Sequence, residues 1–222
     1  MGKLFSYDGG ILRIINKIVD CVILSVLWVL FSLPLFTIGA STTALYYTIN
    51  KVIIHDRSHV WREFWGSFKA NFKQAVLAWL PIMVVYYMMI TSAIIAFLQG
   101  TQGGDNAQMW YILLGMYAVV AIFFTMWVGH VFPHIARFEN TTMQIYKNCL
   151  MLTIRHVLKS LGLLAVFIIC VVAVVGFFWV LIFIAPAAYM LVANYLLEPV
   201  YKRYMSEEDL EAEEERNRVY YN

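Results

Sequence analysis

With 62% of its 222 residues hydrophobic and 14% charged, this chain lies far from the ~25% charge of soluble domains, and its mean hydropathy of +0.71 excludes an ordinary water-soluble fold. The formal net charge of +2 hides a segregation, because all sixteen Lys and Arg fall into four clusters separated by long apolar stretches. Such a pattern belongs to a membrane protein with its basic charge on one side.

The clusters are Lys3, Arg13 and Lys17; Lys51, Arg57, Arg62, Lys69 and Lys73; Arg137, Lys147, Arg155 and Lys159; and Lys202, Arg203, Arg216 and Arg218. Between them, Cys21–Asn50 and Ser160–Leu197 carry no charge, and Gln74–Ala136 carries only Asp105. As one helix the last gap would measure ~57 Å, about twice a ~30 Å hydrocarbon core, so it must fold back. Keeping every cluster in the cytoplasm requires an even number of crossings between clusters, which makes each gap a hairpin.

The fold class this predicts is all-α, a polytopic bundle of about six spans near residues 18–36, 41–55, 75–98, 109–136, 160–177 and 179–200, with both termini cytoplasmic. The membrane domain then covers 1–204 and an acidic cytoplasmic tail 205–222. In the first hairpin, Pro34 lacks an amide hydrogen, Gly39 frees the backbone and Ser41 is placed to cap the next helix, marking a corner. The return limb, Ser41–Ile54, offers only ~21 Å, so five spans plus a re-entrant segment is the alternative. Gln99–Gln108, with Gly100, Gly103, Gly104 and Asp105, reads as an external loop, and the third hairpin is expected to turn near Gly176.

Two cytoplasmic links read as interfacial helices. Over 60–73, Trp61, Phe64, Trp65, Phe68 and Phe72 recur at helical spacing, giving either a stripe at headgroup depth or a face that docks a partner. Over 141–157, Met143, Tyr146, Leu150, Ile154 and Val157 form the expected buried side. A shift of 86 residues lays Lys69, Phe72 and Lys73 over Arg155, Leu158 and Lys159, the outline of a parallel internal repeat. The tail opens with Ser206 ahead of Glu207, Glu208 and Asp209, a helix start, and its acidic run reads as a solvated face or an interaction arm.

Catalytic chemistry finds no footing. The chain has no GxxxxGK[ST], GxSxG or HExxH motif, so neither an enzyme nor a cofactor is expected. Cys21, Cys149 and Cys170 lack CxxC spacing and read as small hydrophobes. His130 and His134 share a helix face across Pro133, but no third ligand matches them, so no metal is assigned. Asn16, Asp20, Asn194 and Glu198 sit near inner helix ends, within reach of Lys17, Lys202, Arg203 or water, rather than at mid-bilayer where a proton relay would place them.

The run from Leu27-Trp28 through Phe31-Ser32-Leu33-Pro34 to Thr37-Ile38-Gly39-Ala40-Ser41 and Ala44-Leu45-Tyr46 closely resembles the signature of the YesL-like membrane proteins, also called the DUF624 family. Phe64–Ala75 is similar to a second segment of that family. The resemblance implies a small integral protein of the cytoplasmic membrane of mainly Gram-positive bacteria, encoded beside carbohydrate ABC importers. The function expected on that footing is an accessory subunit that packs against the importer's permease subunits and its sugar-binding protein without hydrolysing nucleotide. No nucleic-acid partner is expected. An autonomous small-solute transporter or channel, acting as a homo-oligomer, is the alternative. In a cysteine-free background, a cysteine placed at Gln102 should react with a membrane-impermeant maleimide on intact cells, whereas one at Lys69 or Lys147 should react only after permeabilisation; the reverse pattern inverts the topology.

Overall fold

The computed structural model describes residues 10–56, 59–103, 106–176 and 179–218. Lys3, Arg57, Gly104, Asp105 and the two positions after Gly176, where the third hairpin was expected to turn, lie outside them. The described residues form α1 (Gly10–Ser32), α2 (Ile38–Thr48), α3 (Val60–Thr101), α4 (Ala107–Arg137), α5 (Thr142–Arg155), α6 (Val157–Gly176), α7 (Ala185–Tyr201) and α8 (Glu207–Arg218). A wide π-helical stretch, Ile49–Ile54, prolongs α2, and short 3-10 turns at Leu35–Thr37 and Trp179–Phe183 precede α2 and α7. The fold is a helical bundle, and α1, α3, α4 and α6 are long and apolar enough to cross a membrane. Outward side chains such as Leu77, Tyr87, Val119 and Val175 are apolar and exposed, the surface a lipid-facing protein presents.

All three hairpins bring their basic ends together. Arg13 and Lys17 of α1 pair with Asp56 beyond the π stretch, Lys17 Nζ lying 2.8 Å from its carboxylate. Gln74 of α3 donates to the Asn140 carbonyl beyond α4, and Tyr204 beyond α7 meets His156 between α5 and α6 at 3.4 Å. At the opposite end Gly100 packs on the Tyr111 ring, closing the α3–α4 hairpin.

α2 is the post around which the bundle is built. Gly39, Ala40, Ser41, Thr43 and Ala44 are all buried, and their small side chains let α3 and α4 approach closely. A Cβ on Gly39 would stand 2.7 Å from the Ala75 carbonyl oxygen, the Trp79 Cβ and the Phe132 ring. The hydroxyls of Thr43 and Thr48 donate to the carbonyls of Gly39 and Ala44 at 2.9 and 2.7 Å, so these polar groups are satisfied inside the helix. At the corner before α2, the Thr37 hydroxyl lies 2.6 Å from the carbonyls of Phe31 and Pro34, and Trp79 Nε1 donates to that of Leu35 at 2.7 Å. Leu33, Leu35 and Phe36 are exposed beside these capped carbonyls, as an apolar environment demands of a chain reversal.

The contact partners of Gly39 fix the depth of the first hairpin. From Trp79 to Thr101 and from Phe132 back to Ala107, α3 and α4 continue for roughly 33–38 Å past the corner. The α1–α2 hairpin therefore turns back well short of the far end of α3–α4.

Other features of the helices differ from expectation. Residues 60–73 and 75–98, read as an interfacial helix and a span, form one helix, since nothing between Lys73 and Val76 breaks the hydrogen-bond ladder; Pro81 is accommodated within it. At 141–157 the chain does bend, with His156 leaving helical geometry (φ −120°) between α5 and α6, so the two halves of the proposed repeat differ at their matching junction. The buried side of α5 is Ile145, Cys149 and Leu152, whereas Met143, Leu150 and Ile154 face outward. The expected span 179–200 is divided at Ile184, where Pro186 favours a new helix start.

Gly39→Ala should lower the thermal midpoint of the detergent-solubilised protein by the equivalent of about 1–3 kcal/mol, because the added methyl meets backbone and two rings. Gly66→Ala, with nothing within 4 Å of its new Cβ, should leave the midpoint unchanged or raise it. Tryptophan-fluorescence melts of the two variants measure the contrast.

Candidate functional site

Two features stand out as candidates, a buried ionic cluster at the basic end and an apolar cavity above α2. The cluster begins with Arg137, the last residue of α4, whose side chain is 7% exposed. Its Nη1 and Nη2 donate to both carboxylate oxygens of Glu213 on α8 at 2.8 and 2.7 Å, and Nη2 also lies 3.0 Å from Glu198 Oε2 on α7 as an ion pair. Lys51, on the π stretch, reaches Glu213 Oε1 at 3.1 Å. Tyr46 donates to Glu198 Oε1 at 2.9 Å, while Asn194 bridges α7 to α2 by accepting from Asn50 at 3.1 Å and donating to the Tyr46 carbonyl at 3.3 Å.

Two cations and two carboxylates thus cancel within one buried knot. Removing either sign would strand the other in a poorly solvated place. Burial pushes the Glu213 carboxyl up, but hydrogen bonds and charge from Arg137, and then from Lys51, overcome it and hold the pKa at about 2. Glu198 sits near the C-terminal end of α7; its ion-pair partner is Arg137, 61 positions earlier in the chain, instead of the adjacent Lys202 or Arg203. Glu213 departs from the reading of the tail as a solvated arm, since it is buried while Glu207, Glu208, Asp209, Glu211 and Glu215 remain exposed. The only advance signal for it is the presence of surplus cations near the inner helix ends.

The histidines serve packing between helices. His130 Nε2 lies 2.7 Å from Ser160 Oγ of α6, and His134 stacks on Phe138 with ring centroids 4.6 Å apart. Among the described residues no three potential ligands gather to hold a metal.

The five aromatics of the 60–73 stripe divide. Phe64 and Phe68 are buried, with centroids 5.7 and 5.1 Å from Phe31 of α1, and belong to the core. Trp65 and Phe72 are half-buried, and Trp61 is 54% exposed. A partner face on this stripe is therefore restricted to Trp61, Trp65 and Phe72, with Lys69 over the Trp65 ring at 4.8 Å. Of the corner residues, Pro34 is extended and exposed, and Gly39 and Ser41 are buried at the start of α2.

The cavity, of about 590 Å³, lies between the α3–α4 and α6–α7 hairpins. Ile38 and Thr42 of α2 contribute to its floor, Met83 and Met126 to one wall and Leu163 and Phe167 to the other. Among the described residues no Lys, Arg, Asp or Glu lines it.

Residues 21–93 match the family model DUF624, a protein of unknown function. The matched segment runs from α1 through the corner and α2 into α3, the part of the fold organised around Gly39. No curated protein and no solved structure matches the chain.

Glu213→Gln should free α8, making it several times more susceptible to proteolysis, and should destabilise the bundle by about 3 kcal/mol, toward the lower end for breaking a buried ion pair. Because the Glu213 pKa is depressed on folding, its contribution is complete above the ordinary 4.5 and is lost as the pH falls toward 2. Thermal midpoints of the wild type should fall through that window more steeply than those of Glu213→Gln.

Proposed function

We propose that the protein is an accessory subunit of a bacterial carbohydrate ABC import system, held in the cytoplasmic membrane with both termini inside, and that it packs against the permease without hydrolysing nucleotide. The observation that carries this reading is the division between the two candidate sites. Lys51, Arg137, Glu198 and Glu213 neutralise one another in a structural knot, and the cavity offers no charged group. An oligosaccharide entering the cavity would lose its hydration without replacement hydrogen bonds, at a cost of roughly 1–3 kcal/mol per stranded polar group. A role beside a transporter fits such an interior better than carriage of a sugar. The link to carbohydrate import rests on the resemblance carried by Leu27–Tyr46 and Phe64–Ala75.

The surfaces offered to the permease are the outer part of the aromatic stripe, Trp61 with Trp65 and Phe72, and the exposed acidic side of α8. Phe64 and Phe68 support that stripe from within through Phe31.

Purification from the native membrane in mild detergent, followed by mass spectrometry, should recover sugar-importer permease subunits and their binding protein. Trp61→Ser should reduce that recovery about fivefold, the effect of losing a ~1 kcal/mol contact, without moving the thermal midpoint. A homo-oligomer free of importer subunits, together with solute flux in liposomes containing only this protein, would replace the accessory role with that of an autonomous transporter.

A further inference from the structure

We propose that the cavity between α3–α4 and α6–α7 binds one acyl chain of a membrane phospholipid, an inference that stands independently of the accessory role. Its size is the first argument. A volume of about 590 Å³ lies within the ~300–1,000 Å³ of ligand pockets, whereas three turns of a helix, ~10 Å across and ~16 Å long, need about twice as much. A slender flexible chain fits where a partner helix does not.

Chemistry is the second argument, because polar groups at the cavity are already engaged. Trp28 Nε1 donates to Thr42 Oγ1 at 3.1 Å, the Tyr86 hydroxyl donates to Thr125 Oγ1 at 3.1 Å, and Trp79 Nε1 is held by the Leu35 carbonyl. Besides the Tyr189 hydroxyl, what remains facing the space is hydrocarbon and thioether, including Met83, Met126 and Met190, side chains that adapt to an irregular apolar ligand. Location is the third argument. The walls are α3, α4, α6 and α7, of which α3, α4 and α6 are long and apolar enough to cross a membrane, and the outer surfaces of these three are apolar. Acyl chains are the most abundant apolar molecules in that layer.

Gly129 supplies a specific test. It lines the cavity, and a Cβ there would meet only the Tyr189 hydroxyl at 3.5 Å, an ordinary contact, so Gly129→Leu fills the space without a backbone clash. The probe is a phosphatidylglycerol carrying a diazirine at one acyl terminus, incorporated in phosphatidylglycerol–phosphatidylethanolamine vesicles with the full-length protein. After solubilisation and purification, irradiation reads out only retained lipid. Adducts should map to Met83, Met126, Leu163 and Tyr189, and native mass spectrometry should show one phospholipid per chain.

Gly129→Leu should cut the adduct yield about tenfold, the equilibrium equivalent of ~1.4 kcal/mol, with its thermal midpoint preserved. Leu158→Phe, on a position 83% exposed, should not change it. Adducts confined to outward residues such as Val119, Leu158 and Ile169 would overturn the proposal, as would a yield unaffected by Gly129→Leu. A retained free fatty acid or isoprenoid in place of phospholipid would overturn the assignment of the occupant. Should Gly129→Leu fail to fold, the wild-type adduct map alone decides between the inner and outer positions.

Discussion

Charges can enter a poorly solvated region only in company, and the inner end of this bundle is organised by that requirement. Arg137 and Lys51 are both buried, and neither is tolerable there without a carboxylate within hydrogen-bond reach. Glu198 and Glu213 supply the negative charge from two further elements, so the π stretch after α2, α4, α7 and α8 are joined at one point. Tyr46 donates to Glu198 within it, and Asn194 ties α7 to the Tyr46 carbonyl beside it. The acidic helix α8, otherwise exposed on most of its surface, becomes part of the fold through this knot.

Above the knot the controlling feature is the thinness of α2. Small residues allow α3 and α4 to approach its backbone until the absent side chain of Gly39 is necessary. The Trp79 and Phe132 rings, 5.8 Å apart and edge-on, enclose the same point. Because the α1–α2 hairpin turns back here, α3–α4 continues past it, whereas the α6–α7 hairpin packs beside α1, where the Ala187 amide donates to Ser25 Oγ at 3.1 Å. The apolar cavity lies between those hairpins, with α2 residues on its floor. A short first hairpin and an internal apolar site are thus two consequences of one close contact.

Much of the architecture is legible in the distribution of Lys and Arg. Retaining four basic clusters on one face and apolar gaps of bilayer length leaves hairpins as the available connection. The Pro34–Gly39 corner is readable from backbone chemistry, and the short return limb exposes the re-entrant alternative. The aromatic stripe is less legible. A 3.6-residue period identifies Trp61, Phe64, Trp65, Phe68 and Phe72 as sharing a face, but lipid headgroups, a partner and Phe31 are all suitable company for aromatic rings. On α5 the periodicity selected the lipid-facing side, because Met143, Leu150 and Ile154 are as apolar as the Ile145, Cys149 and Leu152 that pack inward.

The sequence by itself determined that this is a helical bundle with segments long and apolar enough to cross a membrane, since these follow from segment length and the cost of burying charge. Only the tertiary structure decided that Arg137 would take Glu213 from 76 residues away and that Lys51 would take the same carboxylate from 162 away. It also decided that 60–101 would be one helix and that the first hairpin would leave a cavity above it. The physical reason is common to these outcomes: each depends on which side chains meet across packed helices, and a composition uniform in hydrophobicity does not encode that choice locally.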